Sequence, residues 1–176
     1  GNVDQHTVRL NKELSESPYI YEYSGKKYKI SNIKDFCDVV GYKSPDYQEI
    51  AFATCLLQTI INNDYFVANR KPVGSPGSTN FLNVCQGRNV EESNIWYEHI
   101  KNYPFDAWSL ASHHKENFEM MMTRLINMQH DGLLDNKNWM HILGVGKLAN
   151  GCAYTTMQRC IREHINPNFT MSYDVS

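Results

Sequence analysis

Residues 137–165, "KNWMHILGVGKLANGCAYTTMQRCIREHI", hold apolar positions at helical spacing together with three glycines, two cysteines and two histidines. Whether this stretch is a helix, a phosphate-binding turn or a metal site decides how the rest of the chain is assembled. At 3.6 residues per turn, Ile142, Val145, Ala149, Cys152, Ala153 and Cys160 share one broad face, and Gly144, Gly151, Thr155 and Arg162 align on another. That period predicts a single helix over 139–165. Its glycines, each costing roughly 0.5–1 kcal/mol against alanine inside a helix, then mark where a second backbone packs closely.

Two chemical readings of the same residues compete with packing. Cys160 and His164 lie four apart and share a helix face, as paired zinc ligands do, with Cys152 and His141 as the other two candidates. Eight residues of continuous helix, however, separate Cys152 from Cys160 by roughly 12 Å at 1.5 Å per residue. One tetrahedral zinc does not reach that far. Neither a metal nor a cofactor is expected.

The segment "ILGVGKLA" (142–149) resembles the helix-hairpin-helix of DNA-binding proteins, in which a Gly-x-Gly turn offers backbone N–H groups to a phosphate. The resemblance implies that Lys147 stands at a helix N-terminus beside that phosphate. The small residue of the motif falls at Ala149, one place early, and no proline precedes the turn. The Gly-x-x-x-x-Gly-Lys-Ser/Thr loop is absent, because His141 occupies its first glycine and no hydroxyl residue follows Lys147. A turn at Gly144–Gly146 would favour phosphate binding, and a continuous helix would favour packing.

Outward from this stretch, the pattern is mostly helical. Residues 1–17 are polar and read as an arm or a loosely attached helix. "YIYEYSGKKYKIS" (19–31) alternates around Ser24-Gly25 as a short β-hairpin, the only β element expected. Asn32 and Gly41 bracket a short helix, and Ser44-Pro45-Asp46 opens a longer apolar one over 47–63. Residues 69–80, rich in Pro, Gly and Ser, form an exposed loop. Helices follow over 90–102 and 105–130, parted at Pro104. The expected fold is therefore mainly α: a single-domain bundle of five or six helices over 18–170, with one N-terminal hairpin.

Composition agrees with a folded chain. Of 176 residues, 41% are hydrophobic and 20% charged, which excludes a disordered polypeptide. The formal charge of −2 gives no global electrostatic case for nucleic acid. Five cysteines without a CxxC pair argue against a disulfide framework and for a reducing, intracellular setting, cytoplasm or nucleus. No apolar run has the length of a membrane span, so no membrane partner is expected.

Functional residues follow from these elements. Trp96, Tyr97, Trp108, Phe118, Met121 and Met122 make an aromatic and Met-rich set of the kind that anchors protein interfaces. They point to a non-enzymatic interaction or assembly domain with a protein partner or a second copy. The alternative is nucleic-acid binding through Lys26, Lys27 and Lys29 of the hairpin, Arg70, Lys71 and Lys147. Cys55, placed mid-helix among apolar residues with His113 and His114 remote in sequence, reads as an inert thiol, so no catalytic residue is assigned.

Overall fold

The computed structural model describes residues 4–175 and divides at Ala68 and Asn69 into two compact units. In the first, α1 (Gln5–Glu16) starts at Asp4, whose carboxylate accepts the His6 N–H at 3.1 Å, and buries Leu10 and Leu14. Strands β1 (Tyr19–Tyr23) and β2 (Lys26–Ile30) pair antiparallel across Ser24-Gly25, both at positive φ (52° and 75°), as a two-residue hairpin turn requires. Helix α2 (Ile33–Val40) is capped by Asn32 and closed by Gly41 at φ 100°. At the start of α3 (Tyr47–Asn69), Asp46 and Glu49 exchange side chain-to-backbone bonds of 2.8 and 2.9 Å, a capping box. Phe52, Ala53, Leu56, Leu57 and Ile60 of α3 are buried.

The second unit overturns the expectation of a mainly α bundle: the chain is mixed α/β. Strands β3 (Leu82–Cys85), β4 (Ala107–Leu110), β5 (Trp139–Ile142) and β6 (Thr170–Tyr173) form a parallel sheet in the order β3-β4-β5-β6. Helices α4 (Val90–Ile100), α5 (Phe118–His130) and α6 (Leu148–His164) lie in the three connections. Each strand has only four residues, and β4 is buried throughout, so no period-2 alternation distinguishes it from a helix segment. The helix expected over 105–130 is β4, a 3-10 turn (Ser112–Lys115) and α5, with Asn117 capping α5. The helix expected over 139–165 is β5, a turn and α6.

Register sorts the strand residues into two faces. Asn83, Trp108, Met140 and Met171 lie in one row, and Cys85, Leu110, Ile142 and Tyr173 in the next row of that face. This face meets the helices. The Trp108 ring lies 5.9 Å from Tyr97 of α4, the Asn83 amide donates to the Ile100 carbonyl at 2.8 Å, and Tyr173 lies 6.1 Å from Tyr154 of α6. Val84, Ser109, His141 and Ser172 form a row on the other face. Parallel strands in consecutive order, joined by helices, are wound as in β/α barrels rather than as in doubly wound sheets. Such sheets place their chemistry at the carboxyl ends of the strands. Among the described residues, no helix is long and apolar enough to cross a membrane.

Candidate functional site

The loops that leave the carboxyl ends of β3, β4, β5 and β6 are tied to one another. After β3, Gly87 takes φ 155°, and a Cβ there would lie 2.6 Å from the Ser93 nitrogen, so the loop rests directly on the first turn of α4. Arg88 clamps Glu92 with its guanidinium and its own N–H. Burial alone would raise the Glu92 carboxyl, but these bonds outweigh it and hold the group below its ordinary value.

The β4 loop carries a buried polar chain. His114 Nδ1 lies 2.7 Å from the Ala111 carbonyl, an acceptor only, so Nδ1 holds the proton and Nε2 accepts the Ser93 hydroxyl at 2.7 Å. Ser93 Oγ in turn accepts from Arg124 Nε at 3.2 Å. Burial, together with the Arg124 charge, lowers the His114 pKa, which keeps the ring neutral. The carbonyl of Lys115 then accepts from Asn150 and from the Tyr154 hydroxyl at 3.1 and 3.0 Å, binding this loop to α6.

The β5 loop settles the question raised by its glycines. The chain turns at Gly144, φ 73°, and α6 begins at Leu148 with Lys147 as its N-cap residue and no side-chain capping bond. The Leu143 N–H donates to the Leu110 carbonyl, the Gly144 N–H to the Asp174 carboxylate, and the Val145 N–H to the Asp174 carbonyl. Lys115 reaches over the turn: its ammonium lies 2.8 Å from where a Cβ on Gly144 would sit. The Gly144 N–H, with contributions from His141 and Lys115, holds the exposed Asp174 carboxyl below its ordinary range.

Beside this carboxylate stands His141, with Nε2 3.8 Å from Asp174 Oδ1 and Nδ1 2.8 Å from Ser172 Oγ. Ser172 Oγ already accepts the Trp139 indole N–H at 2.7 Å. With two lone pairs and one proton, Ser172 Oγ can serve His141 Nδ1 as acceptor or as donor, and in either case Nε2 is the ring nitrogen that faces Asp174. One sheet edge thus gathers Lys115, His141, Asp174, the turn of residues 144–146 and the start of α6 with Lys147. Ammonium groups at a helix start suit an anionic group, and a carboxylate beside an imidazole suits proton transfer.

Of the residues singled out from the sequence, Lys147 is exposed at this edge. Lys26, Lys27 and Lys29 are exposed on β2 of the first unit. Arg70 is bound to Asp106 at 2.9 Å and stacked 4.8 Å from the Phe81 ring, whereas Lys71 is exposed. Trp96, Tyr97, Trp108 and Met121 are buried, and Phe118 and Met122 are exposed. Sequence reading did not find Lys115 or Asp174, and it weighed His141 only as a metal ligand. Lys115 and Asp174 follow, and His141 lies within, strands too short to recognise, so the positional signal was missing. Among the described residues, no group of three or more His, Cys, Asp or Glu side chains is placed to hold a metal ion, and all five cysteines are free.

Comparison with protein-family models, curated proteins and solved structures returns no match for this chain.

Proposed function

We propose that the second unit is a β/α ligand-binding module that takes a small molecule bearing a phosphate or similar anion at the carboxyl edge of its sheet. Asp174 and His141 stand beside the bound group as its proton-transfer pair. The observation that carries this reading is the turn at Gly144, which starts α6 at Lys147 and brings Lys115 over the same glycine. Backbone N–H groups at the start of α6 and two ammonium groups supply the positive potential, and the row Ser109, His141, Ser172 leads to the carboxylate. The five free thiols support an intracellular, reducing setting for this activity.

Calorimetric titration with ribose 5-phosphate tests the reading. Saturable binding that weakens on the order of tenfold in Lys147→Ala and in Lys115→Ala is expected, since each removes one charged contact. Equal affinity in wild type and both variants would refute it.

A second reading, nucleic-acid binding by the first unit, is favoured by one observation: Lys26, Lys27 and Lys29 are all exposed on a single strand. Its signature is oligonucleotide affinity that falls steeply with salt and whose salt slope diminishes when these lysines are replaced. For protein recognition through the aromatic and Met-rich helices, Phe118 and Met122 are the two residues of that set that face outward.

A further inference from the structure

Away from the sheet edge, α4 and α5 border a cleft of about 250 Å³. At its base lies Arg124, one of the largest fully buried side chains of the chain. A buried guanidinium ordinarily has a carboxylate partner, because an uncompensated charge in the interior is costly. Here the described hydrogen-bond partners are neutral, and the Asp131 carboxylate acts on the guanidinium without being bound to it. Nε donates to Ser93 Oγ, Nη2 donates to Asn94 Oδ1 at 2.5 Å, and the guanidinium lies 4.3 Å from the centre of the Tyr97 ring. Nη1 has no hydrogen-bond partner among the described residues.

The two carboxylates of the cleft are already engaged. Lys101 pairs with Glu98 at 2.8 Å and with Asp131 at 3.3 Å, and Asp131 also accepts the Tyr97 hydroxyl at 2.9 Å. Asn94 gives its carbonyl oxygen to Arg124, which leaves its NH₂ as a donor, and Asn127 borders the same cleft one helical turn beyond Arg124. The inner part of the cleft is therefore donor-rich: a guanidinium and two carboxamides, with no carboxylate of its own bound to them.

We infer that this cleft is a second binding site, for a small oxyanion (carboxylate or phosphate) held by Arg124, Asn94 and Asn127. A planar or tetrahedral oxyanion accepts from the guanidinium and both amides together, and it supplies the hydrogen-bonded anionic partner that Arg124 lacks, Asp131 acting on the guanidinium only through space. The site is separate from the sheet-edge site and does not depend on Lys115 or Lys147.

The test follows side-chain N–H signals of Arg124, Asn94 and Asn127 by NMR while inorganic phosphate or acetate is added to the Lys115→Ala/Lys147→Ala protein, with sodium chloride at matched ionic strength as control. The inference expects saturable shifts at these three residues with phosphate or acetate, weakened on the order of tenfold in Asn94→Ala and in Asn127→Ala. Acetate saturating where phosphate does not assigns the site to carboxylates, and the converse assigns it to phosphates. Shifts that rise linearly and match those with chloride would overturn the inference, as would saturation unaffected by both asparagine substitutions. Asn127 lies partly at the surface, so Asn127→Ala retains the core, whereas Asn94→Ala also removes the acceptor of Arg124 Nη2, and its urea midpoint is measured alongside to separate lost binding from lost stability.

Discussion

The ammonium of Lys115 lies 2.8 Å from the position that a Cβ on Gly144 would occupy, so a side chain at residue 144 would push the flexible end of Lys115, from the loop after β4, off the turn after β5. Gly144 also takes φ 73°, a region that side-chain-bearing residues enter at a cost of roughly 1–2 kcal/mol. Gly144→Ala is expected to displace Lys115 and to lower unfolding stability by about that amount. All three tryptophans belong to the second unit, so their fluorescence in urea reports its unfolding specifically.

Buried His114 and half-buried His99 give this unit an acid-sensitive stability. Burial lowers the pKa of His114 and pushes that of His99 down to about 4. In the unfolded chain both titrate near about 6.5. Below that value the unfolded state takes up protons that the folded state refuses, so stability is full above pH 6.5 and declines as the pH falls. Tryptophan-detected urea midpoints at pH 7.5 and pH 5 are expected to differ, with the lower one at pH 5, where most carboxylates of the unfolded chain remain charged. His99→Gln should reduce the difference, and identical midpoints would contradict the assignment.

Much of the first unit is legible in the sequence because its signals are local. Ser24-Gly25 needs two positive φ angles, Asn32 and Gly41 bracket α2, and the Asp46–Glu49 capping box starts α3. The second unit hides its sheet. "AWSL" and "WMHI" are four-residue strands that pair with segments about thirty residues away, and their apolar residues also satisfy a helical period. Reading 139–165 as one helix concealed the site too: Lys147 is an N-cap only once 139–142 is a strand, and His141 faces Asp174 only once β5 lies beside β6. What could be read was the conditional significance of the Gly-x-Gly-Lys turn.

The ion pair of Arg70 with Asp106 closes the start of the second unit, with the side chains 11% and 22% exposed. Asp106 also accepts the Phe81 N–H at 2.7 Å. Burial raises its carboxyl, but the Phe81 and Arg70 bonds outweigh that and lower it. Asp106→Asn leaves a largely buried guanidinium without its carboxylate, so a loss of about 3 kcal/mol is expected. The same urea measurement checks it.

Thiol reactivity should separate the cysteines by exposure. Cys55, Cys152 and Cys160 are exposed, whereas Cys37 and Cys85 are buried, with pKa values that burial pushes up to about 11 and about 12. An Ellman's titration of the native protein is expected to count three thiols, and five in denaturant. Cys55 should be slower than an unperturbed exposed thiol, because burial of part of its surroundings raises its pKa.

The central claim, an anionic ligand at the carboxyl edge of the sheet, is tested most directly by mapping backbone amide shifts during titration with ribose 5-phosphate. The account predicts saturable shifts at Gly144, Val145, Gly146, Lys147 and the first residues of α6, with Lys115 and Asp174 responding and β2 unchanged. No saturable shift at residues 144–148, or shifts confined to Lys26, Lys27 and Lys29, would contradict it.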